Sequence, residues 1–132
     1  MIRNALIEYL LAFLGGAAIL VLPVALDPDH VRYPAAFLPV VRNVVEGLQL
    51  YSLDLLVVFG ALLGIYAKSS AVLLGICSVS IFPLWSIIDI ASGGDGHNLL
   101  PFEWAFYAVY TVFPIIGIAS ARFTKRRFTT GT

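Results

Sequence analysis

Four apolar stretches, each close to the length that crosses a lipid bilayer, constrain this chain more than any other feature. A helix needs about 20 apolar residues to cross the hydrocarbon core, and the stretches cover residues 5–26, 44–67, 70–91 and 99–121. Only 12% of the residues are charged, against roughly 25% in an average soluble protein. The sequence therefore predicts an all-α integral membrane protein, with four transmembrane helices in an up-down bundle that forms one domain over residues 1–132.

The first stretch superficially resembles a signal peptide, because Arg3 precedes an apolar run. Its apolar part is nearer to membrane-spanning length, and no clean cleavage site of small residues follows before Pro23. Signal peptides have a shorter apolar core and such a site. We therefore expect this segment to be retained as the first helix.

Basic residues concentrate at one predicted end of the bundle, together with both termini and the second turn. These six residues are Arg3, Lys68, Arg122, Lys125, Arg126 and Arg127. Short cytoplasmic loops carry an excess of Lys and Arg, so we expect both termini in the cytoplasm and a bacterial or archaeal inner membrane as the location. The basic tail also suits contact with anionic lipid headgroups, and we expect no nucleic-acid partner.

Most acidic residues fall at the opposite, outer end, and several have an ordinary structural explanation. Glu46 and Glu103 lie in the predicted first turns of their helices, where the helix dipole favours a carboxylate, and Glu8 has the same explanation. Asp89 lies in the last turn of the third span, where the dipole disfavours a carboxylate. Asp89 should therefore have a partner, such as an arginine, His97 or a bound cation.

Asp54 is the acidic residue that is hardest to explain as structural. It lies eight residues after Glu46, which places it about 12 Å deeper along the same helix. A carboxylate at such depth is costly unless it is paired, protonated or facing water, and it is by default a candidate functional group. Asp54, Glu46, Asp89, His97 and Glu103 are thus the candidate ligand or ion-binding residues.

A divalent metal is a weaker possibility at the outer end. His97, Asp89 and Glu103 supply the nitrogen and oxygen ligands that Zn, Mn or Fe accepts. Their spacing matches no recognised metal motif: the chain has no His-Glu-x-x-His and no Glu-x-x-His on one helix. The glycine-rich turn at residues 93–97 is therefore interpreted first as a connection between two spans.

Residues that repeat every three to four positions predict the buried stripe of each span. On the second span the predicted stripe is Glu46, Leu50, Leu53, Val57, Gly60 and Gly64; on the third it is Ala71, Gly75, Ser78, Phe82, Trp85 and Asp89; on the fourth it is Glu103, Tyr107, Tyr110, Pro114, Gly117 and Ala121. Small residues let helix backbones approach closely in lipid, so Gly60, Gly64, Gly75 and Gly117 are expected at helix contacts. The larger side chains suggest a bundle that opens outward, lined or belted by Trp85, Trp104, Tyr107 and Tyr110. Pro83 and Pro114 are expected to kink their helices.

Three functions are compatible with these features. The first is an accessory subunit or binding and assembly component that contacts another membrane protein or a second copy of itself, besides the lipid bilayer. The second is an oligomeric transporter or channel unit that uses Asp54 for a proton or cation. The third is an intramembrane enzyme acting on a lipid or isoprenoid with Glu103 and Asp89 as an acid and base. No nucleophile lies beside a histidine in the sequence, and we favour the first.

Overall fold

The computed structural model describes residues 2–25, 50–91 and 100–129, and all the regular structure in these ranges is helical. The helices are α1 (Ile2–Ala25), α2 (Leu50–Tyr66), α3 (Ala71–Val79), α4 (Ile81–Ala91) and α5 (Leu100–Thr129). The all-α prediction is therefore confirmed for these parts of the chain. The predictions for Glu46 and His97 concern residues outside these ranges.

Two of the described helices are long and apolar enough to cross a membrane, through Asn4–Leu22 of α1 and Trp104–Phe128 of α5. The third predicted span is split, because α3 and α4 meet that test only together and are bent by 45°. Helix α2 is apolar but shorter than a full span over Tyr51–Tyr66. The described helices thus include two that could cross a membrane by length and composition, or three if the bent pair forms one span.

The break between α3 and α4 is explained by Pro83. Proline has no N–H, and its ring collides with the carbonyl four residues earlier, which here is that of Val79, the last residue of α3. Ser80 forms the joint: its backbone N–H and its hydroxyl both donate to the Cys77 carbonyl, at 3.3 and 2.8 Å. The helix resumes when the Leu84 N–H donates to the Ser80 carbonyl. The expected kink at Pro83 is therefore present as a 45° bend in which Ser80 alone is non-helical, whereas α5 continues through Pro114.

The closest helix pairs run parallel and are distant in sequence. Gly60 and Gly64 of α2 lie against Pro114 and Ile118 of α5 respectively, so both helices advance in the same direction. Among the described helices, the contacts of α2 with α5 are the most extensive, followed by those of α1 with α3, whereas α2 and α3 touch little despite their short connection. The bundle thus consists of two parallel pairs, α2 with α5 and α1 with α3, and the packing of α3 on α5 joins the two pairs.

The buried stripe on α2 differs from the predicted one. The buried residues are Ser52, Leu56, Gly60 and Gly64, at a strict spacing of four, while Leu53 and Val57 are only half-buried. The reason is the close approach to α5. Gly60 and Gly64 belong to a row of residues spaced by four along α2, and this row faces α5. Before Gly60 the buried face therefore continues in steps of four, and Asp54 falls on the far side of the helix.

The predicted stripes of the other two helices match the burial more closely. Gly75, Ser78, Phe82 and Trp85 are buried, and so are Tyr107, Pro114 and Gly117. Around them lie two apolar clusters, one centred on Leu20, Leu56 and Phe82 and the other on Ala12, Leu74 and Ile118. The clusters occupy opposite halves of the bundle and are separated by the level of the glycine contacts.

Candidate functional site

Four glycines, all expected at helix contacts, lie where another helix leaves no room for a side chain. A Cβ on Gly60 would collide with the backbone of Pro114, and one on Gly117 with the backbone of Val57. A Cβ on Gly64 would come within 2.6 Å of the Ile118 carbonyl oxygen. Because no backbone can rotate away as a side chain can, these contacts fix how α2 and α5 sit against each other. Gly75 differs, because a Cβ there would meet the side chain of Ile115 rather than backbone.

The first helix has a buried stripe of its own that the sequence analysis did not identify. Ala12, Gly16 and Leu20 are buried at a spacing of four residues, and a Cβ on Gly16 would collide with the backbone of Ser78 in α3. Glu8 is one further step of four back along the same stripe. The regular spacing from Glu8 to Leu20 was the available signal, and it implied that Glu8 faces the bundle.

Glu8, a residue of α1, holds the turn between α2 and α3. Its Oε2 accepts hydrogen bonds from the backbone N–H groups of Lys68 and Ser69, at 3.0 and 2.8 Å. The helix-dipole explanation for Glu8 is wrong, because α1 begins at Ile2 and has no acidic residue in its first turn. The carboxylate instead satisfies two amides that lie between helices and have no helical partner.

Two basic side chains of α5 hold the carbonyl groups of the same turn. The Arg122 guanidinium donates through Nη2 to the carbonyls of Ala67 and Ser69, at 3.0 and 2.6 Å, and Lys125 Nζ donates to the Ile65 carbonyl at 3.1 Å. The last carbonyls of a helix lack intrahelical partners and carry the negative end of its dipole, so cations stabilise them. We call Glu8, Arg122, Lys125 and the turn at 67–69 the clasp.

The clasp contains Lys68, Arg122 and Lys125, which belong to the basic end that the sequence predicts. It brings together the beginning of α1, the turn at Lys68 and the end of α5, where Arg126 and Arg127 also lie. The Arg127 guanidinium is 4.5 Å from the centre of the Phe123 ring, which is a cation–π contact. The side chain of Arg3 lies outside the described residues.

Asp54 lies on the outer surface of α2, where its side chain is exposed. Within residues 2–25, 50–91 and 100–129, no hydrogen bond or ion pair reaches its carboxylate. Its neighbours on this surface are apolar and also exposed, including Leu55 and Val58. The structure therefore does not bring Asp54 together with any other described site residue.

Aromatic side chains fill the half of the bundle opposite the clasp. Phe82 stacks on Tyr107 with ring centroids 5.1 Å apart and nearly parallel planes, and Tyr110 lies 5.8 Å from Phe82 at a tilt. Trp85 is buried, whereas Trp104 is 51% exposed. Of the four aromatic residues expected in a vestibule or an interfacial belt, Trp85 and Tyr107 are core residues, Tyr110 is half-buried, and Trp104 alone is exposed.

The other candidates at the outer end are only partly described. Asp89 lies in the last turn of α4, as expected, and Glu103 follows Pro101 at the beginning of α5, but their side chains are outside the described set, as are Glu46 and His97. Among the side chains that are described, no three His, Cys, Asp or Glu residues gather as metal ligands would. The metal and the acid–base pair therefore stay predictions.

Comparison of the chain with protein-family models, with curated protein sequences and with solved structures finds no match.

Proposed function

We propose that this chain is a four-span membrane protein that serves as an accessory subunit or assembly component of a larger membrane complex. In this proposal both termini face the cytoplasm of a bacterial or archaeal cell, and the clasp lies at the inner face of the inner membrane. The outer half of the bundle points away from the cytoplasm. The partner is another membrane protein or a second copy of this chain.

The exposed carboxylate of Asp54 is the observation that carries the proposal. Helix α2 advances about 1.5 Å per residue, so Asp54 lies about 20 Å from Lys68 in the inner turn. If Lys68 lies at the inner boundary of a hydrocarbon core about 30 Å thick, Asp54 lies about 10 Å inside the outer boundary. Exposure of a carboxylate to lipid costs at most about 2.5–3.5 kcal/mol, the value at the centre of a spanning helix. A protein partner that covers Asp54 would remove this cost.

The rest of the surface is consistent with a rigid component that offers its outside to partners. The clasp provides hydrogen-bond partners for the polar backbone groups of the turn, and the glycine contacts use the inner faces of the helices for packing. Large apolar side chains cover the outside, among them Leu11, Val58 and Val109. Such a surface suits both lipid and other transmembrane helices.

Native electrophoresis and native mass spectrometry of the protein from its own membranes, in a mild detergent, test this proposal. We expect the chain in a complex of discrete size and composition, and we expect Asp54→Leu to release it as a folded 14.3 kDa monomer. The matched control is Leu55→Ala, an adjacent exposed residue, which should keep the complex. A chain that is monomeric under the gentlest conditions, or a complex indifferent to Asp54→Leu, would contradict the proposal.

The same carboxylate supports a second candidate, an oligomeric transporter or channel unit that moves a proton or cation. Because Asp54 faces outward from the single chain, such a pathway would run between copies. Asp54→Asn should then abolish ion flux in proteoliposomes while leaving the oligomer intact. Flux at the normal rate in that variant would exclude this candidate.

A further inference from the structure

We propose that the outer face of α2 docks a transmembrane helix of a different protein, and that this helix carries an arginine or lysine at the depth of Asp54. This inference rests on the proposed function and names the partner's chemistry. It does not follow from the apolar surface alone, since lipid could cover that equally well. It follows from the position of one carboxylate within that surface.

The face around Asp54 has the residue spacing of a helix-packing seam. Tyr51, Asp54, Val58 and Ile65 follow one another at intervals of three, four and seven residues, the repeat by which two helices pack at a small angle. Tyr51, Val58 and Ile65 are all among the exposed large hydrophobic residues. The seam lies away from the buried stripe of Ser52, Leu56, Gly60 and Gly64, so it is not used by α5.

A second copy of the chain fits this face poorly. Two copies in the same membrane orientation are related by an axis along the membrane normal, and a symmetric contact places the same residue on both sides. The two Asp54 carboxylates would then meet, and like charges at close range in a medium of low dielectric repel strongly. An inverted copy would place the basic end on the outer side of the membrane, against the usual distribution of Lys and Arg.

The described basic side chains of this chain also lie at the wrong depth. Lys68, Arg122 and Lys125 belong to the clasp, about 20 Å from Asp54 along α2. Even a long side chain cannot span that distance. Among residues 2–25, 50–91 and 100–129, no described basic side chain lies at the level of Asp54, and we assign the complementary charge to another protein. A buried acid–base pair between helices is a known use of such residues in membranes.

The test uses the purified full-length chain, labelled with a donor fluorophore and reconstituted in liposomes with synthetic acceptor-labelled transmembrane peptides. One Leu-rich peptide carries a single Arg about 10 Å below its outer end, and a matched peptide has Leu at that position. A short basic tail sets the orientation of both peptides. Energy transfer at increasing peptide-to-lipid ratios gives their relative association.

We expect the Arg peptide to associate about tenfold more strongly than the Leu peptide, in line with polar contacts between membrane helices. The preference should disappear with Asp54→Leu, fall with Asp54→Asn, and persist with Leu55→Ala. Circular dichroism of each variant shows whether the fold is retained. Equal association of the two peptides with the folded wild-type chain would overturn the inference.

Two further outcomes separate this inference from the function on which it rests. If donor- and acceptor-labelled copies of the chain associate with each other, and only when Asp54 is present, the heteromeric partner is wrong while an assembly role stands. If native complexes depend on Asp54 but the Arg peptide associates no more strongly than the Leu peptide, the inference of a basic residue on the partner helix is wrong. A chain that forms no complex in its own membranes overturns both.

Discussion

Single polar side chains control the ends of this bundle, and Glu8 is the clearest case. One carboxylate oxygen accepts two backbone hydrogen bonds from the turn that joins α2 and α3. Asp54 is the opposite case, since its carboxylate lies outside the bundle. The sequence separates the two residues by depth, since Glu8 lies near the beginning of its apolar stretch and Asp54 well inside its own, but only the packing of α1 and α2 shows which of them faces the bundle.

We predict that Glu8→Ala destabilises the protein more than Glu8→Gln does. Alanine leaves the amides of Lys68 and Ser69 without an acceptor, whereas glutamine keeps a carbonyl oxygen but loses the charge that strengthens both bonds. The expected loss for alanine is about 1 kcal/mol, the net contribution of a typical hydrogen bond, because the bond from Lys68 is exposed and water can replace the carboxylate there. Thermal unfolding in detergent, followed by circular dichroism, measures it.

Thr124→Val is the control for Glu8, because the Thr124 hydroxyl donates only to Ser120 within its own helix. It should shift the unfolding temperature little. If Glu8→Ala behaves like this control, the carboxylate does not hold the turn.

At the scale of helices, glycine and proline determine the arrangement. Sequence reasoning located the glycines at helix contacts, because small residues at a spacing of four have one common use in membranes. It placed the α2 stripe partly on the wrong residues, because spacings of three and four both suit a helix. Only the partner helix α5 decides between them.

We predict that Gly60→Ala destabilises the bundle more than Gly15→Ala. The new Cβ at residue 60 meets the backbone of Pro114, whereas at residue 15 it meets the ring of Phe59, which can rotate away. Overpacking against a fixed backbone costs about 1–3 kcal/mol. Unfolding of the two variants in the same detergent compares them directly, and equal stability would contradict the close approach of α2 and α5.

We predict that Pro83→Ala joins α3 and α4 into one straighter helix. Alanine restores the N–H that can donate to the Val79 carbonyl and removes the colliding ring. Spin labels at Val72 and Ile90, both exposed, should move apart by about 2 Å when a 45° bend straightens, as the rise of a helix implies. Ser80→Ala, which keeps the proline, should leave the distance unchanged; an unchanged distance in Pro83→Ala would assign the break to another cause.

At the scale of the whole molecule, the clasp brings the beginning of α1, the turn at Lys68 and the end of α5 to one end of the bundle. Composition and the distribution of Lys and Arg were enough to predict this grouping. They could not predict which helices would pair, because every face of an apolar helix is equally compatible with lipid. The role of Glu8 was missed for the same reason.

We predict that cysteines introduced at Lys68 and Phe128 are both modified by an impermeant maleimide from the cytoplasmic side only. A cysteine at Trp104, near the other end of α5, should react from the opposite side. The variants are made with Cys77→Ser, so that the introduced thiol is the reactive one. Modification of residues 68 and 128 from different sides would show that the clasp does not form in the membrane.

The pairing of parallel helices also determines the order in which the protein can assemble during synthesis. Arg122 donates to the carbonyl of Ala67, 55 residues earlier in the chain. The glycine face of α2 likewise packs on a helix that is synthesised later, α5. At about 5–20 residues per second, several seconds separate the synthesis of α2 from that of its partner. During that interval Gly60 and Gly64 lack the helix that covers them, so the emergence of α5 is the event that completes the bundle.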